Sequence, residues 1–440
     1  MRSCEEAIGR GEDHQVPQLS IVNAHDKSFP PQLWGSSTDA VSDAAARLSA
    51  FQTPVLALDR DALQHNTRLM FDWLAGTGLL LAPHGKTTMS PKLWRQLLDA
   101  GAWGMTFATG WQVQCARSFG IDRIMLANAM VDPVAIAWIA AELDAHPEFE
   151  FCCWVDSVDT VGRMAASLHG GRRRIPVIVE LGATGGRTGA RTIDEAVLIA
   201  DAVRDSGVLE VAGVGGYEGA LAHDRSAQGV ARVDAYLDEI AQLHARLAAS
   251  GHYEDRMPVV TAGGSAYFDR VAERLGALSG EADVVLRSGA FQIHDDGFYA
   301  GVTPMGTLVG DTQFRSAMHV WVRVVSRPEP RLALFDAGKR DLPYDEGLPV
   351  AQRVVGLDAE LSEAVLAGSE VTALNDQHGF LRLSGALSDA AAADALSVGS
   401  VIRLGLSHPC TALDKWRLIP VIDDASTDDP IVVDAVETYF

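Results

Sequence analysis

Short apolar segments alternate with helical stretches over residues 51–300, and this alternation limits the folds that the chain can adopt. Several of the segments are continuously apolar, which is typical of strands buried on both faces. Strands and helices that alternate with short loops predict a parallel sheet with right-handed crossovers. The predicted strands are 55–58, 79–82, 104–107, 124–127, 151–155, 176–181, 211–214, 259–262 and 283–286.

Eight or nine such units spread over roughly 250 residues have the size of a closed barrel. We therefore predict an α/β fold in which residues 51–300 form a (β/α)₈ TIM-type barrel, with an open doubly wound sheet as the alternative. Residues 1–50 are polar, are interrupted by Phe29-Pro30-Pro31, and are expected to form an N-terminal arm that packs on the body.

The pattern changes after residue 300, where long helical stretches become scarce. Strand-like segments separated by Gly, Pro and Asp turns predict a mainly antiparallel β domain over residues 301–440. The predicted strands of this domain are 319–325, 331–335, 371–374, 379–383 and 400–404.

Composition and charge exclude several classes of protein. The formal net charge of −22 argues against binding to nucleic acid or to anionic membranes. No apolar run reaches the length of about 18 residues that a membrane-spanning helix needs, and the N-terminus lacks the apolar stretch of a signal peptide. The five cysteines show no disulfide or zinc-finger spacing, so we expect a cytoplasmic protein.

In a barrel, functional groups follow the carboxyl ends of the strands. The segment Pro83-His84-Gly85-Lys86-Thr87-Thr88 directly follows the predicted strand 79–82. A partly desolvated lysine at this place has a lowered pKa, and its neutral amine can form a Schiff base. A surface lysine in an ordinary loop is the alternative.

Three glycine-containing segments also follow predicted strands. The segment 182–189 contains Arg187 but matches neither a P-loop nor a dinucleotide fingerprint. In Thr261-Ala262-Gly263-Gly264-Ser265 and in Arg287-Ser288-Gly289-Ala290-Phe291, backbone N–H groups and hydroxyls could bind one phosphate between them. The alternative is that each segment is only a tight turn.

A candidate metal site lies in the β domain, at Ser407-His408-Pro409-Cys410-Thr411. If this segment is extended, His408 and Cys410 point to the same side. Imidazole and thiolate together suit Zn²⁺, and two protein ligands leave coordination positions open for catalysis. A buried cysteine beside a turn histidine is the alternative.

Taken in order along the chain, and with Tyr217 in Gly215-Gly216-Tyr217-Glu218-Gly219, these motifs resemble the D-serine dehydratase and D-threonine aldolase family. The resemblance extends from about residue 50 to about residue 425. It implies a pyridoxal-phosphate enzyme with an alanine-racemase-like barrel, a homodimer, and an active site where the barrel meets the β domain.

The resemblance also implies roles for individual residues. Lys86 matches the Schiff-base lysine and is the expected catalytic residue, Arg187 matches the arginine that faces the pyridine nitrogen, and His408 with Cys410 matches the metal pair. We expect Zn²⁺ there, with Mn²⁺ as the alternative. The expected cofactor-binding residues are His84, Lys86, Arg187, Tyr217, Thr261, Gly263, Gly264, Ser265, Gly289 and Ala290.

These assignments lead to a lyase that acts on D-3-hydroxy amino acids. Pairing of His with Cys is typical of the family's dehydratases, so we expect release of a 2-oxo acid and ammonia. An aldolase that releases glycine and an aldehyde is the alternative, and a non-catalytic pyridoxal-phosphate carrier and a racemase are more remote ones. The chain departs from the family at Thr88, where a histidine is common.

Overall fold

The computed structural model describes residues 21–168, 173–305, 312–384 and 387–440. Two sheets organise the described chain, one of eight strands and one of nine. The body begins with strand β1 (Val55–Asp59) and helix α1 (Arg60–Ala75), and the Asp59 side chain caps α1 by accepting the Ala62 N–H at 2.8 Å.

The eight-stranded sheet is entirely parallel, and a helix leads from each strand to the next. Trp103 N–H donates to Leu81 O (2.8 Å) and Thr106 N–H to Pro83 O (2.9 Å), which joins the two end strands and closes the sheet. The predicted barrel is thereby confirmed. Its elements are β2 (Leu80–Leu81), α2 (Pro91–Asp99), β3 (Met105–Phe107), α3 (Gly110–Ser118), β4 (Arg123–Ala129), α4 (Pro133–Ala145), β5 (Glu150–Val155), α5 (Val158–Ala166), β6 (Ile175–Glu180), α6 (Ile193–Ser206), β7 (Leu209–Gly215), α7 (Ala227–Ala249), β8 (Val259–Ala262), α8 (Phe268–Leu275) and β9 (Asp283–Leu286).

Successive residues of a barrel strand belong to two different apolar clusters. On β5, Cys152 and Trp154 join a small cluster with Ile178, whereas Cys153 and Val155 join the large cluster that contains the helices. Alternation of side chains across a strand therefore fills both the barrel interior and the layer beneath the helices. Among the described residues, no helix combines the length and the apolar character needed to cross a bilayer.

The second sheet is mainly antiparallel, as predicted. Among the strand pairs that the structure describes in it, only β1 and β16 (Leu418–Ile422) run parallel. Its main order is β13-β14-β11-β10-β1-β16-β17, with β15 pairing β10 and β12. The sequence did not predict β12, β16 and β17. The elements after the barrel are α9 (Phe298–Val302), β10 (Met318–Glu329), β11 (Leu332–Phe335), β12 (Val350–Val354), α10 (Ala359–Leu366), β13 (Glu370–Leu374), β14 (Gly379–Arg382), α11 (Asp389–Ala395), β15 (Val401–Gly405), α12 (Pro409–Leu413), β16 (Leu418–Ile422) and β17 (Val432–Glu437).

The first predicted barrel strand belongs to the second sheet, which corrects the start of the barrel at residue 51. Strand β1 pairs antiparallel with β10 and parallel with β16, so the barrel begins with α1. All five residues of β1 are buried, and its apolar residues 55–58 would suit either sheet. The described part of the N-terminal arm, residues 21–50, packs on this second sheet through Val22, Phe29 and Leu33, and residues 1–20 lie outside the described chain.

Candidate active site

A cavity of about 490 Å³ opens at the carboxyl ends of the barrel strands, where α12 of the β domain reaches the barrel. All but two of the predicted site residues line it. Thr261 and Gly263 are the exceptions, and both are buried next to it. The predicted residues in the lining are His84, Lys86, Arg187, Tyr217, Gly264, Ser265, Gly289, Ala290, His408 and Cys410.

Lys86 reaches the cavity from a single 3₁₀ turn, Gly85–Thr87, that follows β2. Trp94 of α2 fixes the backbone of the turn, because its indole N–H donates to Gly85 O at 3.0 Å. A Cβ atom at position 85 would lie 2.5 Å from the ring of Phe107, so only glycine fits there. Trp94 and Phe107 pack closely against one side of the turn, and the Lys86 side chain extends from the other side into the cavity.

The environment of Lys86 favours its neutral amine. Burial lowers the pKa of Lys86, and the positive charges of Arg187 and Arg287 lower it further, against an opposing effect of Cys410. Burial and the charge of Lys86 also hold the pKa of His84 well below its usual range. A neutral amine is nucleophilic, so Lys86 is suited to Schiff-base chemistry.

The predicted phosphate-binding turn has a partner within the protein. The Glu218 side chain is fully buried; its Oε2 accepts the Gly263 N–H at 2.9 Å and its Oε1 accepts the Gly264 N–H at 2.6 Å. These two N–H groups therefore point to Glu218 and hold the turn in place. No sequence motif indicated this carboxylate. The hydroxyl of Ser265 faces the neighbouring turn, where it accepts the Ala290 N–H at 3.2 Å.

A second arginine, which the sequence analysis did not assign to the site, lines the cavity at the end of β9. Arg287 is buried, and its Nη1 donates to Thr261 Oγ1 (2.5 Å) and its Nη2 to Gly216 O (2.6 Å). Its guanidinium carbon lies 4.8 Å from the centre of the Trp154 ring. Arg187 is less constrained and stacks over Tyr217 at 4.9 Å. A charged residue directly after an apolar strand was the available signal for Arg287.

The segment that carries the predicted metal pair is not extended, which corrects the sequence analysis. His408 has a left-handed backbone (φ 50°) and precedes α12, so Cys410 lies in the first turn of that helix. Both side chains nevertheless line the cavity. The Cys410 thiol is hydrogen-bonded to Thr87 Oγ1 at 3.4 Å, next to Lys86.

The partners of His408 match those of a metal-binding histidine. Its Nδ1 is 2.6 Å from Asp345 Oδ2, and Thr411 Oγ1 donates to the other oxygen of the same carboxylate at 2.7 Å. A carboxylate on Nδ1 orients the ring and leaves Nε2 for a metal. The hydrogen bond with Cys410, together with Asp345, raises the pKa of His408 to about 9.

Within the described ranges, no group of three or more His, Cys, Asp or Glu side chains is arranged to hold a metal ion. His408 and Cys410 can therefore supply two ligands, and the remaining positions would be open to water or substrate. Burial by itself raises the pKa of the Cys410 thiol, but contacts with His408 and Thr87 outweigh it and lower that pKa. A thiolate is the form of cysteine that binds metals.

Residues 317–422 match the family described as "Putative serine dehydratase domain". The chain is 26% identical to a D-threonine aldolase of Arthrobacter sp over 385 residues, which covers 87% of this chain and 92% of that protein. It is 25% identical to a D-threo-3-hydroxyaspartate dehydratase of Delftia sp. (strain HT23) over 390 residues, 82% and 92% of the two chains.

Solved structures share the fold. The D-threonine aldolase from Filomicrobium marinum superposes with a TM-score of 0.73 at 24% identity, covering 89% of this chain and 96% of that chain. An Ala racemase-like protein from Idiomarina loihiensis gives a TM-score of 0.67 at 18% identity, over 88% and 96%. The protein therefore has an alanine-racemase-like fold, a barrel followed by a β domain, and it is similar in sequence to an aldolase and a dehydratase. Its resemblance to the D-serine dehydratase and D-threonine aldolase family is confirmed.

Proposed function

We propose that this protein is a lyase that uses pyridoxal phosphate and a divalent metal to dehydrate D-3-hydroxy amino acids to 2-oxo acids and ammonia. One observation carries the proposal: Lys86, with its lowered pKa, shares a cavity with the pair His408 and Cys410. A Schiff-base lysine and an open metal site in one cavity suit a substrate that has both an amine and a neighbouring hydroxyl.

The cavity fits the cofactor. Two polar atoms at its wall, His84 Nδ1 and Trp154 Nε1, are buried without a hydrogen-bond partner among the described residues, as expected where a polar ligand binds. Lys86 would hold the aldehyde, and the turns that meet at Ser265 and Ala290 would hold the phosphate. When bound, pyridoxal phosphate withdraws electrons from the bond that breaks at Cα.

Two arginines are candidates for the contact with the pyridine nitrogen. The resemblance assigns this contact to Arg187, and the geometry adds Arg287, which Thr261 and Gly216 hold in one orientation. Either cation would oppose protonation of that nitrogen, because a second positive charge nearby is unfavourable.

In the proposed elimination, Lys86 and the metal pair act on different groups of the substrate. Lys86 takes the α-proton of the substrate, and its lowered pKa increases the fraction of the neutral amine that can do so. His408 and Cys410 would hold the metal, which would supply a Lewis acid for the β-hydroxyl group. The hydroxyl leaves from Cβ as hydroxide, and the unsaturated product takes up water to give a 2-oxo acid and ammonia.

An aldolase is the second candidate, and the comparisons favour it specifically. Besides the D-threonine aldolase, a 3-hydroxy-D-aspartate aldolase of Paracoccus denitrificans (strain Pd 1222) is 27% identical over 307 residues. In that reaction a base takes the proton of the β-hydroxyl and the Cα–Cβ bond breaks. The paired His408 and Cys410 support the dehydratase, because one compared structure is a cysteine-to-alanine variant of D-threo-3-hydroxyaspartate dehydratase described as metal-free.

Product analysis tests the proposal. Purified protein is incubated with D-threonine, pyridoxal phosphate and Zn²⁺, with L-threonine as the control substrate. 2-Oxobutanoate and ammonia are expected, whereas glycine and acetaldehyde would establish the aldolase. Failure on D-threonine, D-serine and D-3-hydroxyaspartate alike would overturn both.

Two variants test the metal pair. Cys410→Ala is expected to abolish turnover while the absorbance of the bound cofactor remains, because the thiol belongs to the metal pair and not to the cofactor turns. Cys115→Ala is the matched control, since Cys115 lies on α3 and outside the cavity. Full activity of the Cys410 variant would exclude the metal role. A homodimer and a cytoplasmic location, both expected from the sequence, remain parts of the proposal.

A further inference from the structure

The loop between β9 and α9 packs directly against the segment that carries the metal pair. Asp296 N–H donates to Leu406 O at 2.8 Å. At the next position, a Cβ on Gly297 would lie 2.5 Å from Ser407 Cβ, so the two backbones are as close as a glycine allows. The position of His408 is therefore fixed by contacts with this loop as well as by contacts within the β domain.

Asp295 makes the most specific contact between the two segments. Its side chain is 2% exposed, and its Oδ2 accepts the His408 N–H at 3.0 Å. Its Oδ1 accepts the N–H groups of Gly297 and Ala300, each at 3.1 Å. A single buried carboxylate thus binds the backbone of a predicted metal ligand and the first turn of α9.

The helix on the other side of Asp295 forms part of the cavity wall. Phe298, Tyr299 and Val302 of α9 all line the cavity that contains His408. Asp295 therefore joins two parts of the same site, the aromatic wall and the metal pair. Asp295 itself takes no part in the proposed elimination.

The conformation of His408 explains why such a contact is needed. A non-glycine residue with a left-handed backbone costs of order 1–3 kcal/mol, so it persists only where its surroundings hold it. Two aspartates hold His408 from different sides: Asp345 contacts the ring Nδ1, and Asp295 accepts the backbone N–H. The ring orientation and the backbone are fixed separately.

We infer that Asp295 is a positioning residue that fixes the backbone of His408 for metal binding and links it to the wall helix α9. The inference rests on the proposed metal site at His408 and Cys410. Asparagine at position 295 would keep the shape of the side chain but offer only one acceptor oxygen. Either the His408 N–H or the N–H groups of α9 would then lose their partner.

The experiment measures metal affinity directly. Co²⁺ is titrated into wild-type protein, Asp295→Asn and Asp296→Asn, and binding is followed by the thiolate-to-cobalt absorbance that Cys410 would produce. Asp296→Asn is the matched control, because its carboxylate faces His319 at 3.9 Å rather than His408. Pyridoxal-phosphate absorbance and melting temperature are recorded for all three proteins.

Asp295→Asn is expected to bind Co²⁺ roughly 10- to 100-fold more weakly than wild type, the range typical for loss of a residue that supports a ligand. Cofactor absorbance and the control variant should be unchanged. Wild-type affinity in Asp295→Asn, or a loss of cofactor and melting temperature that parallels the loss of metal, would overturn the inference. Absence of Co²⁺ binding in wild-type protein would instead overturn the proposed metal site, and the inference with it.

Discussion

Gly289 separates the two strand ends that form the floor of the proposed cofactor site, and its replacement by alanine is the sharpest test of the site's packing. A Cβ at position 289 would lie 2.6 Å from His84 O, 2.7 Å from His84 N and 2.8 Å from His84 Cβ. Backbone atoms cannot rotate away as a flexible side chain can. Because ordinary contacts begin near 3.4 Å, the two segments must separate by about 0.8 Å.

The magnitude follows from that separation. Forcing an extra methyl group into a well-packed site costs about 1–3 kcal/mol. His84 lies two residues before Lys86, and Gly289 precedes Ala290, whose N–H donates to Ser265. The displacement would therefore part the lysine from the phosphate-binding turn. If the cost appears fully in the cofactor-bound state, pyridoxal phosphate should bind about 5- to 150-fold more weakly, since 1.4 kcal/mol corresponds to a factor of ten.

The assay is a pyridoxal-phosphate titration of the apoprotein, followed by absorbance and accompanied by melting temperatures. Gly301→Ala is the matched control, because a Cβ at position 301 on α9 meets nothing within 4 Å. That variant should keep wild-type affinity. Gly289→Ala with unchanged affinity and stability would refute the reasoning, since it would mean that the two segments are not in contact.

Three further predictions concern buried ionisable groups. Glu218→Gln should lower stability and cofactor affinity by about 1–3 kcal/mol, because glutamine offers one acceptor to the two N–H groups of Gly263 and Gly264; an unchanged melting temperature would contradict this. Burial lowers the pKa of Lys86, so its neutral amine forms at lower pH and the rate of cofactor uptake should reach half its maximum below about pH 10.4; a midpoint at that value would exclude the effect. Burial also lowers the pKa of His294 to about 4. Between about pH 6.5 and pH 4 this histidine is protonated in the unfolded chain but not in the folded chain, so the free energy of unfolding falls as the pH falls through this range. Urea unfolding at both ends of this range should show that the free energy of unfolding falls by about 3 kcal/mol less in His294→Asn than in wild type. An equal fall in the two proteins would contradict the assignment.

The barrel and the approximate place of the site could be predicted because both depend on local pattern. Continuously apolar strands separated by helices require a parallel sheet, and a parallel sheet brings its carboxyl ends to one edge. Residues that directly follow strands, such as Lys86, Ser265 and Gly289, therefore had to converge, and all three line the cavity.

The sheet to which β1 belongs could not be predicted, because the residue pattern of a strand does not indicate which strands it pairs with. Residues 55–58 of β1 are apolar, as in a barrel strand, yet β1 pairs with β10 and β16 of the second sheet. Those strands lie more than 250 residues away along the chain. Pairing over such a separation depends on the packing of the whole domain, which no local window contains.

The geometry within the site was also beyond the sequence. The left-handed backbone of His408 places it in the cavity beside Cys410 without the extended segment that the spacing suggested. Glu218 accepts the two N–H groups of the glycine turn that the motif predicted to bind phosphate. Each feature depends on a partner from a distant part of the chain, in these cases Asp295, Asp345 and the turn after β8.

The sequence by itself determined the kind of fold, the edge at which chemistry takes place, and the types of residue available there, because periodicity and residue chemistry are local properties. Only the tertiary structure decided which hydrogen-bond donors are free and which are already paired, and how burial shifts the pKa of each ionisable group. Those properties arise from atoms that are distant along the chain and close in space, as where the carboxylate of Asp295 meets the backbone of His408.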